Sequence, residues 1–267
     1  MSVVPEARKM NTVQAEWTKL RTVAGPGALL LAAAALTAAV GAVAANAVSC
    51  PGQVCQVDPA KVSLTGLYLG QAVVAIIAVT AVSGEYSTGM MRLTLVATPR
   101  RWRVLAAKAA VVGAATLVTG AVAVLASVLA GSVLLARRGI DAAHGYEALS
   151  LGHGPVLRAA AGSVLYLALV ALLGLGVAAM IRDSAVAIGT VLGLLYLFPI
   201  VASFVSSNPD LQRHLDQVSP MTAGLYIQAT TNVAALPLTP WQGLGVLALW
   251  AAGALLAGGL LLRFRDA

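Results

Sequence analysis

The sequence predicts an all-α integral membrane protein with six transmembrane helices, and three observations carry that prediction. Only 10% of the residues are charged and the mean hydropathy is +0.87, whereas a soluble domain carries about 25% charged residues. The deficit is concentrated: residues 22–57, 62–84, 109–136, 159–181, 184–209 and 217–262 contain no Asp, Glu, Lys or Arg. Each run supplies the roughly 20 mostly apolar residues that a helix needs to cross a bilayer. The runs also lack the strict alternation of a transmembrane barrel, and helices and closed barrels are the only backbones that satisfy themselves in lipid.

Residues 1–24 form a cytoplasmic tail, and residues 25–267 one membrane domain with spans at 25–48, 64–83, 104–136, 157–181, 184–206 and 243–262. The final charge-free run is long enough for two spans. Pro220, Asn232, Pro237 and Pro240 interrupt its first half, so it holds one. The first run is too long for a cleaved signal sequence. Before it, Asn11 or Thr12 can cap a short helix that aligns Val13, Trp17, Leu20 and Ala24 on one face, with Glu16, Lys19 and Arg21 on others. Trp favours the membrane–water boundary, so Trp17, Lys19 and Arg21 mark an interfacial helix; a plain polar lead-in is the alternative.

The first outward loop holds Cys50 and Cys55. Outside the cell a disulfide between them is permitted, and two free thiols are the alternative. The third span exceeds what the bilayer requires. Spans four and five, joined through Arg182-Asp183, form a tight hairpin. The segment 207–242, with Leu225-Tyr226-Ile227 and Trp241, reads as short re-entrant-like helices covering the outer ends of the spans.

Orientation follows the distribution of Lys and Arg. Twelve lie on the side of the termini and five on the other, so both termini are expected to be cytoplasmic. The formal net charge of +7 lies beside the spans and points to anionic lipid rather than nucleic acid.

Several chemistries are not encoded. Gly never precedes any of the four lysines, so there is no phosphate-cradling Gly-Lys-Ser/Thr motif. His144, His153 and His214 fall in loops, so neither haem ligation nor a metal site is expected. The spans lack the intramembrane carboxylates of ion-coupled carriers; Glu85 and Asp183 sit at their cytoplasmic edges, where water reaches them. The remaining feature is the segment after span two: Gly84, Glu85, Tyr86, Ser87, Thr88, Gly89, Met90, Met91, Arg92 and on to Leu95. Ser87 or Thr88 can cap a short helix there, with Met91 and Leu95 on one face and Arg92 beside it. Methionine adapts to partner surfaces, so this helix is expected to dock a partner. Thr98-Pro99 then restarts a helix, and Arg100, Arg101 and Arg103 flank Trp102 as a snorkelling cluster. Gln71, Thr80 and Pro199 are the candidates for lining a pathway, Pro199 through its kink.

The chain resembles the permease subunits of type-2 ABC exporters, in the form common in high-GC Gram-positive (actinobacterial) bacteria. The matching pieces run in order along the chain. They are Ala15-Glu16-Trp17-Thr18-Lys19-Leu20-Arg21-Thr22, Gly84-Glu85-Tyr86-Ser87-Thr88-Gly89, Thr98-Pro99-Arg100-Arg101-Trp102-Arg103-Val104-Leu105-Ala106-Ala107-Lys108, Arg182-Asp183-Ser184 and the terminal Arg263-Phe264-Arg265-Asp266-Ala267. The resemblance implies a bacterial plasma-membrane permease domain over 25–267 and a coupling helix after span two. It also implies a second permease subunit, identical or closely related, and two separate ATPase subunits that bind ATP and Mg. This chain would then have no catalytic residues and no cofactor, and Glu85 would relay ATPase closure into the spans. The weakly polar spans suit a lipophilic or amphipathic cargo. A non-transporting assembly or anchoring subunit, or an ion-coupled carrier, are the alternative functions.

Overall fold

A computed structural model describes residues 13–19, 24–48, 57–97, 101–140, 149–204 and 209–264. Within helices it leaves the side chains of Ala24, Pro26, Arg92, Leu93, Leu95 and Ala97 undescribed. Asn11, Thr12, Leu20, Arg21, Cys50, Cys55, Thr98, Pro99 and Arg100 lie outside the described residues, and so does the disulfide question.

A short helix α1 (13–19) precedes the bundle. Among the described residues, six helices are long and apolar enough to cross a membrane: α2 (Ala24–Ala47), α4 (Leu67–Ser87), α6 (Arg101–Arg137), α7 (Gly154–Ile181), α8 (Ser184–Phe204) and α11 (Pro240–Phe264). Between them lie α3 (Pro59–Ser63), α5 (Met90–Ala97), α9 (Pro209–Val218), α10 (Pro220–Leu225) and two 3-10 turns, Tyr226–Gln228 and Val233–Ala235. No strand occurs among the described residues.

The trunk of the bundle is α7, which packs against α4, α6, α8 and α11. Burial covers 67% of its apolar window, against 22% in α2 and α8. Helices in lipid gain nothing from hiding apolar surface from lipid, so close backbone approach at small residues must hold them. A Cβ on Gly258 of α11 would stand 2.7 Å from the Gly176 carbonyl oxygen of α7, and one on Gly176 would stand 2.5 Å from the Leu255 amide nitrogen. Only glycine permits that crossing.

The helix ends differ from expectation in instructive ways. α4 runs on to Ser87 rather than stopping at residue 83. Ser87 and Thr88 do not cap the next helix. Both hydroxyls donate back to the Gly84 carbonyl, at 3.0 and 2.9 Å, while Gly89 takes a left-handed conformation (φ 70) that ends α4. α11 starts at Pro240, three residues earlier than predicted. Gln242 Oε1 accepts from the Thr239 amide at 3.1 Å, so Thr239-Pro240-Trp241-Gln242 carries the reach-back half of a capping box. α6, at 37 residues, is about 55 Å long by helical rise and outruns the roughly 30 Å hydrocarbon core.

At the end of the bundle opposite Glu85, Asp58 is the tie point. Its carboxylate caps α3 through the amides of Ala60 and Lys61, both at 3.1 Å. It also accepts from the Thr230 amide at 2.6 Å, the Thr230 hydroxyl at 2.7 Å and the Thr231 amide at 3.2 Å. Arg158 at the start of α7 donates to the Ala229 carbonyl at 2.5 Å. α10 is mostly buried against α11 and α8, while α9 has no buried residue.

Gly176→Val should force α7 and α11 apart and destabilise the fold by about 1–3 kcal/mol. Gly253→Ala, on α11 with nothing within 4 Å of its added Cβ, should be neutral or slightly stabilising. Thermal melting of the detergent-solubilised protein compares the two. Equal melting temperatures would refute the glycine crossing.

Candidate functional site

Four charged side chains meet at the Glu85 end of the bundle. α1 supplies Glu16 and Lys19, which as i and i+3 share a face and pair at 3.1 Å. The last turn of α4 supplies Glu85, and α6 supplies Lys108, about two turns inside its start. Lys19 Nζ lies 2.8 Å from Glu85 Oε1, Lys108 Nζ 2.8 Å from the same oxygen, and Lys108 Nζ 2.8 Å from Glu16 Oε2. Lys108 also donates to the Ala81 carbonyl at 3.2 Å. Its three protons therefore match three acceptors. The cluster is formally neutral.

Burial grades across the cluster. The Lys108 side chain is 3% exposed, the Glu16 and Glu85 side chains little more, and the Lys19 side chain 35%. Burial pulls the Lys19 ammonium down, but the hydrogen bonds and charges of Glu85 and Glu16 outweigh it and hold the group above the ordinary lysine value. The contribution of Lys19 is therefore complete below that ordinary value and is lost only as pH rises beyond it. The sequence places Glu85 as a water-accessible carboxylate at a membrane edge. In the structure it is buried, because α1 and α6 close over it, and its Oε2 has no hydrogen-bond partner among the described residues.

Neighbouring elements converge on the same end. Arg182 ends α7 in a left-handed conformation (φ 67), and its guanidinium stands 5.2 Å from the centroid of the Tyr86 ring. Ser184, opening α8, donates to Ser83 of α4 at 2.7 Å. Asp183 Oδ1 accepts from the Val186 amide at 2.9 Å and so caps α8. Arg101 donates to the Leu262 carbonyl at 2.9 Å, a cation on the C-terminal carbonyls of α11.

The segment from Gly84 to Leu95 divides at this junction. Gly84, Glu85, Tyr86 and Ser87 complete α4, Thr88 and Gly89 turn the chain, and Met90 begins α5. Met91 points inward: it is 3% exposed and belongs to the core cluster with Val82, Leu105 and Leu262. Met90, at 45%, and Val96, at 83%, are exposed apolar positions of α5. On α1, Val13 and Trp17 are exposed while Glu16 turns into the bundle. The side chains of Arg92 and Leu95 are not among those described, and Arg21 lies outside the described residues.

The three pathway candidates sit in different surroundings. Gln71 is fully buried, accepting from the Tyr166 hydroxyl and donating to Met221 Sδ at 3.3 Å. Thr80 is exposed and donates to its own backbone at Ile76 and Ile77. Pro199 is half-buried in α8. Sequence reasoning does not pair Glu16 and Lys108 with Glu85, nor Tyr166 with Gln71. A lone lysine between pairs of alanines, inside a span, is the available signal for Lys108.

No protein-family model matches the chain, and no curated protein matches it.

Lys108→Met leaves two buried carboxylates sharing one half-exposed lysine, and should cost about 3–5 kcal/mol. Lys19→Met should cost about 0.2–1 kcal/mol. Melting of the purified variants ranks them, and comparable losses would contradict Lys108 as the centre of the cluster.

Proposed function

We propose that the chain is the membrane-spanning subunit of an ATP-driven exporter, with ATP and Mg bound by a separate ATPase polypeptide. The observation that carries this reading is the junction at Glu85. The second span ends in a buried carboxylate held by ammonium groups from α1 and α6, and a short helix with exposed apolar positions follows at once. A force on α5 reaches α4 through one turn of chain, and reaches α1 and α6 through ion pairs. That is a mechanical coupling, and the resemblance of Gly84–Gly89 to the type-2 ABC permease pattern agrees with it.

On this reading α1 lies in the cytoplasmic membrane surface with Val13 and Trp17 toward lipid. α5 is the coupling helix, presenting Met90 and Val96 to the ATPase. α9 and α10 cover the outward end. Closure of paired ATPases moves α4 and α5 as a rigid body, and the spans pass between inward- and outward-facing arrangements. Two permease subunits, identical or closely related, form the pathway between them in the bacterial plasma membrane, with both termini cytoplasmic. The hydroxyls of Thr37, Thr80, Ser83, Thr116 and Thr190 all donate to carbonyls of their own helices. The helix walls so formed are apolar, which suits a lipophilic or amphipathic cargo.

Co-expression with an ABC ATPase subunit tests the proposal. The complex should contain two permease subunits and hydrolyse ATP in a vanadate-sensitive manner. In a background lacking Cys50 and Cys55, Met90→Cys should crosslink to the ATPase and resist impermeant thiol reagents applied to intact cells. Glu85→Gln should assemble and lower cargo-stimulated hydrolysis by about fivefold or more, the scale of a typical coupling free energy. Labelling of Met90→Cys from outside, or full activity in Glu85→Gln, would defeat the reading. Flux driven by an ion gradient without an ATPase would indicate a carrier instead.

A further inference from the structure

On one flank of the bundle α6 and α11 touch only sparingly and leave an open groove of about 1050 Å³. Its walls are apolar, formed by Leu105, Ala109, Leu255 and Gly259 among others, and Leu256 and Leu260 on its rim are more than half exposed. Its charged end is built from Arg101 and Trp102 in the first turn of α6 and Arg263 in the last turn of α11. Among the described residues no acidic side chain lines it. The bond from Arg101 to the Leu262 carbonyl fixes that guanidinium over the end of α11.

The dimensions are informative. From Arg101 to Ala109, and from Arg263 to Leu255, each helix advances eight positions, about 12 Å along its axis. One leaflet contributes about 15 Å of hydrocarbon. The groove therefore begins at two guanidinium groups and a tryptophan, at the level of the headgroups, and descends most of one leaflet along apolar wall. Basic pockets between transmembrane helices favour anionic headgroups, and guanidinium matches phosphate geometry. A second copy of the chain is a poor occupant, because a two-fold interface would set the same arginines against one another.

We infer that the groove between α6 and α11 is a binding site for an anionic phospholipid. The phosphate sits at Arg101 and Arg263 beside Trp102, and an acyl chain lies along Leu105, Ala109, Leu255 and Gly259. The site borders the Glu85 junction through Arg101 and Leu105, but the inference does not depend on what the protein carries.

Native mass spectrometry of the purified full chain, titrated with phosphatidylglycerol or phosphatidylcholine in mild detergent, tests this. The wild type should retain phosphatidylglycerol about fivefold or more tightly than phosphatidylcholine. Arg263→Gln, at an exposed position, should lose about fivefold for phosphatidylglycerol alone, the share of one basic residue near a membrane surface. Arg263→Lys should recover most of that loss. An added Cβ at Gly259 lies 3.7 Å from Leu105 Cδ2, so Gly259→Phe fills the groove without altering charge and should weaken both lipids. Melting of each variant confirms that it is folded. Equal retention of the two lipids by the wild type would overturn the inference. So would an unchanged preference in folded Arg263→Gln, or a lipid-free dimer joined across this flank.

Discussion

Lys108 places an ammonium group inside a membrane-length helix, where an uncompensated charge costs several kcal/mol. Much of the architecture at that end follows from meeting this demand. Glu16 must come in from α1, so the N-terminal helix is tied to the bundle rather than trailing from it. Glu85 must come in from α4, so α4 keeps its helical path through a residue that would otherwise end it. Once α4 runs to Ser87, the Gly89 turn starts α5 directly beside the cluster, and Met91 anchors it to α6 and α11. Well-packed apolar residues in place of such a cluster are often neutral or stabilising. Stability alone therefore does not account for these four charges. What the four charges do in the structure is join three segments, α1, α4 and α6, through ion pairs.

The rest of the bundle is organised around α7. Its glycines and alanines let α4 and α11 approach to backbone contact, and Tyr166 and Gln71 satisfy each other in the interior. The helices at the margin, α2 and α8, remain largely uncovered, as expected of surfaces that meet lipid or another subunit. The two ends of the bundle are closed by different means. One uses ion pairs among side chains. The other uses Asp58, whose carboxylate gathers amides and a hydroxyl from two distant segments.

The six spans are legible because absence of charge over about 20 residues is a coarse and robust signal. Their ends are less so. Glu85 reads as the close of a span because a charge is costly in lipid, and its two lysine partners are distant in sequence. The start of α11 is signalled locally by Thr239-Pro240 with Gln242 three residues after the threonine, a cap that the cluster of prolines conceals. Helical spacing puts Met91 on a face but cannot say which face meets the bundle; packing turns Met91 inward and leaves Met90 outside. Gln71 draws attention as polar chemistry within a span, yet a single buried glutamine paired with a tyrosine is equally a packing element, and only tertiary contacts distinguish the two.

The cluster also has a place in time. Glu16, Lys19, Glu85 and Lys108 all lie on or before the third span, whereas α7, the trunk on which the finished bundle rests, is made afterwards. At about 5–20 residues per second, several seconds of synthesis separate Lys108 from the end of α7. During that interval the early spans have no central helix to pack on, but they already contain both halves of each ion pair in this cluster. The nascent protein can thus neutralise its deeply placed lysine using only segments that precede it, and the later helices join a partner whose charges are already matched.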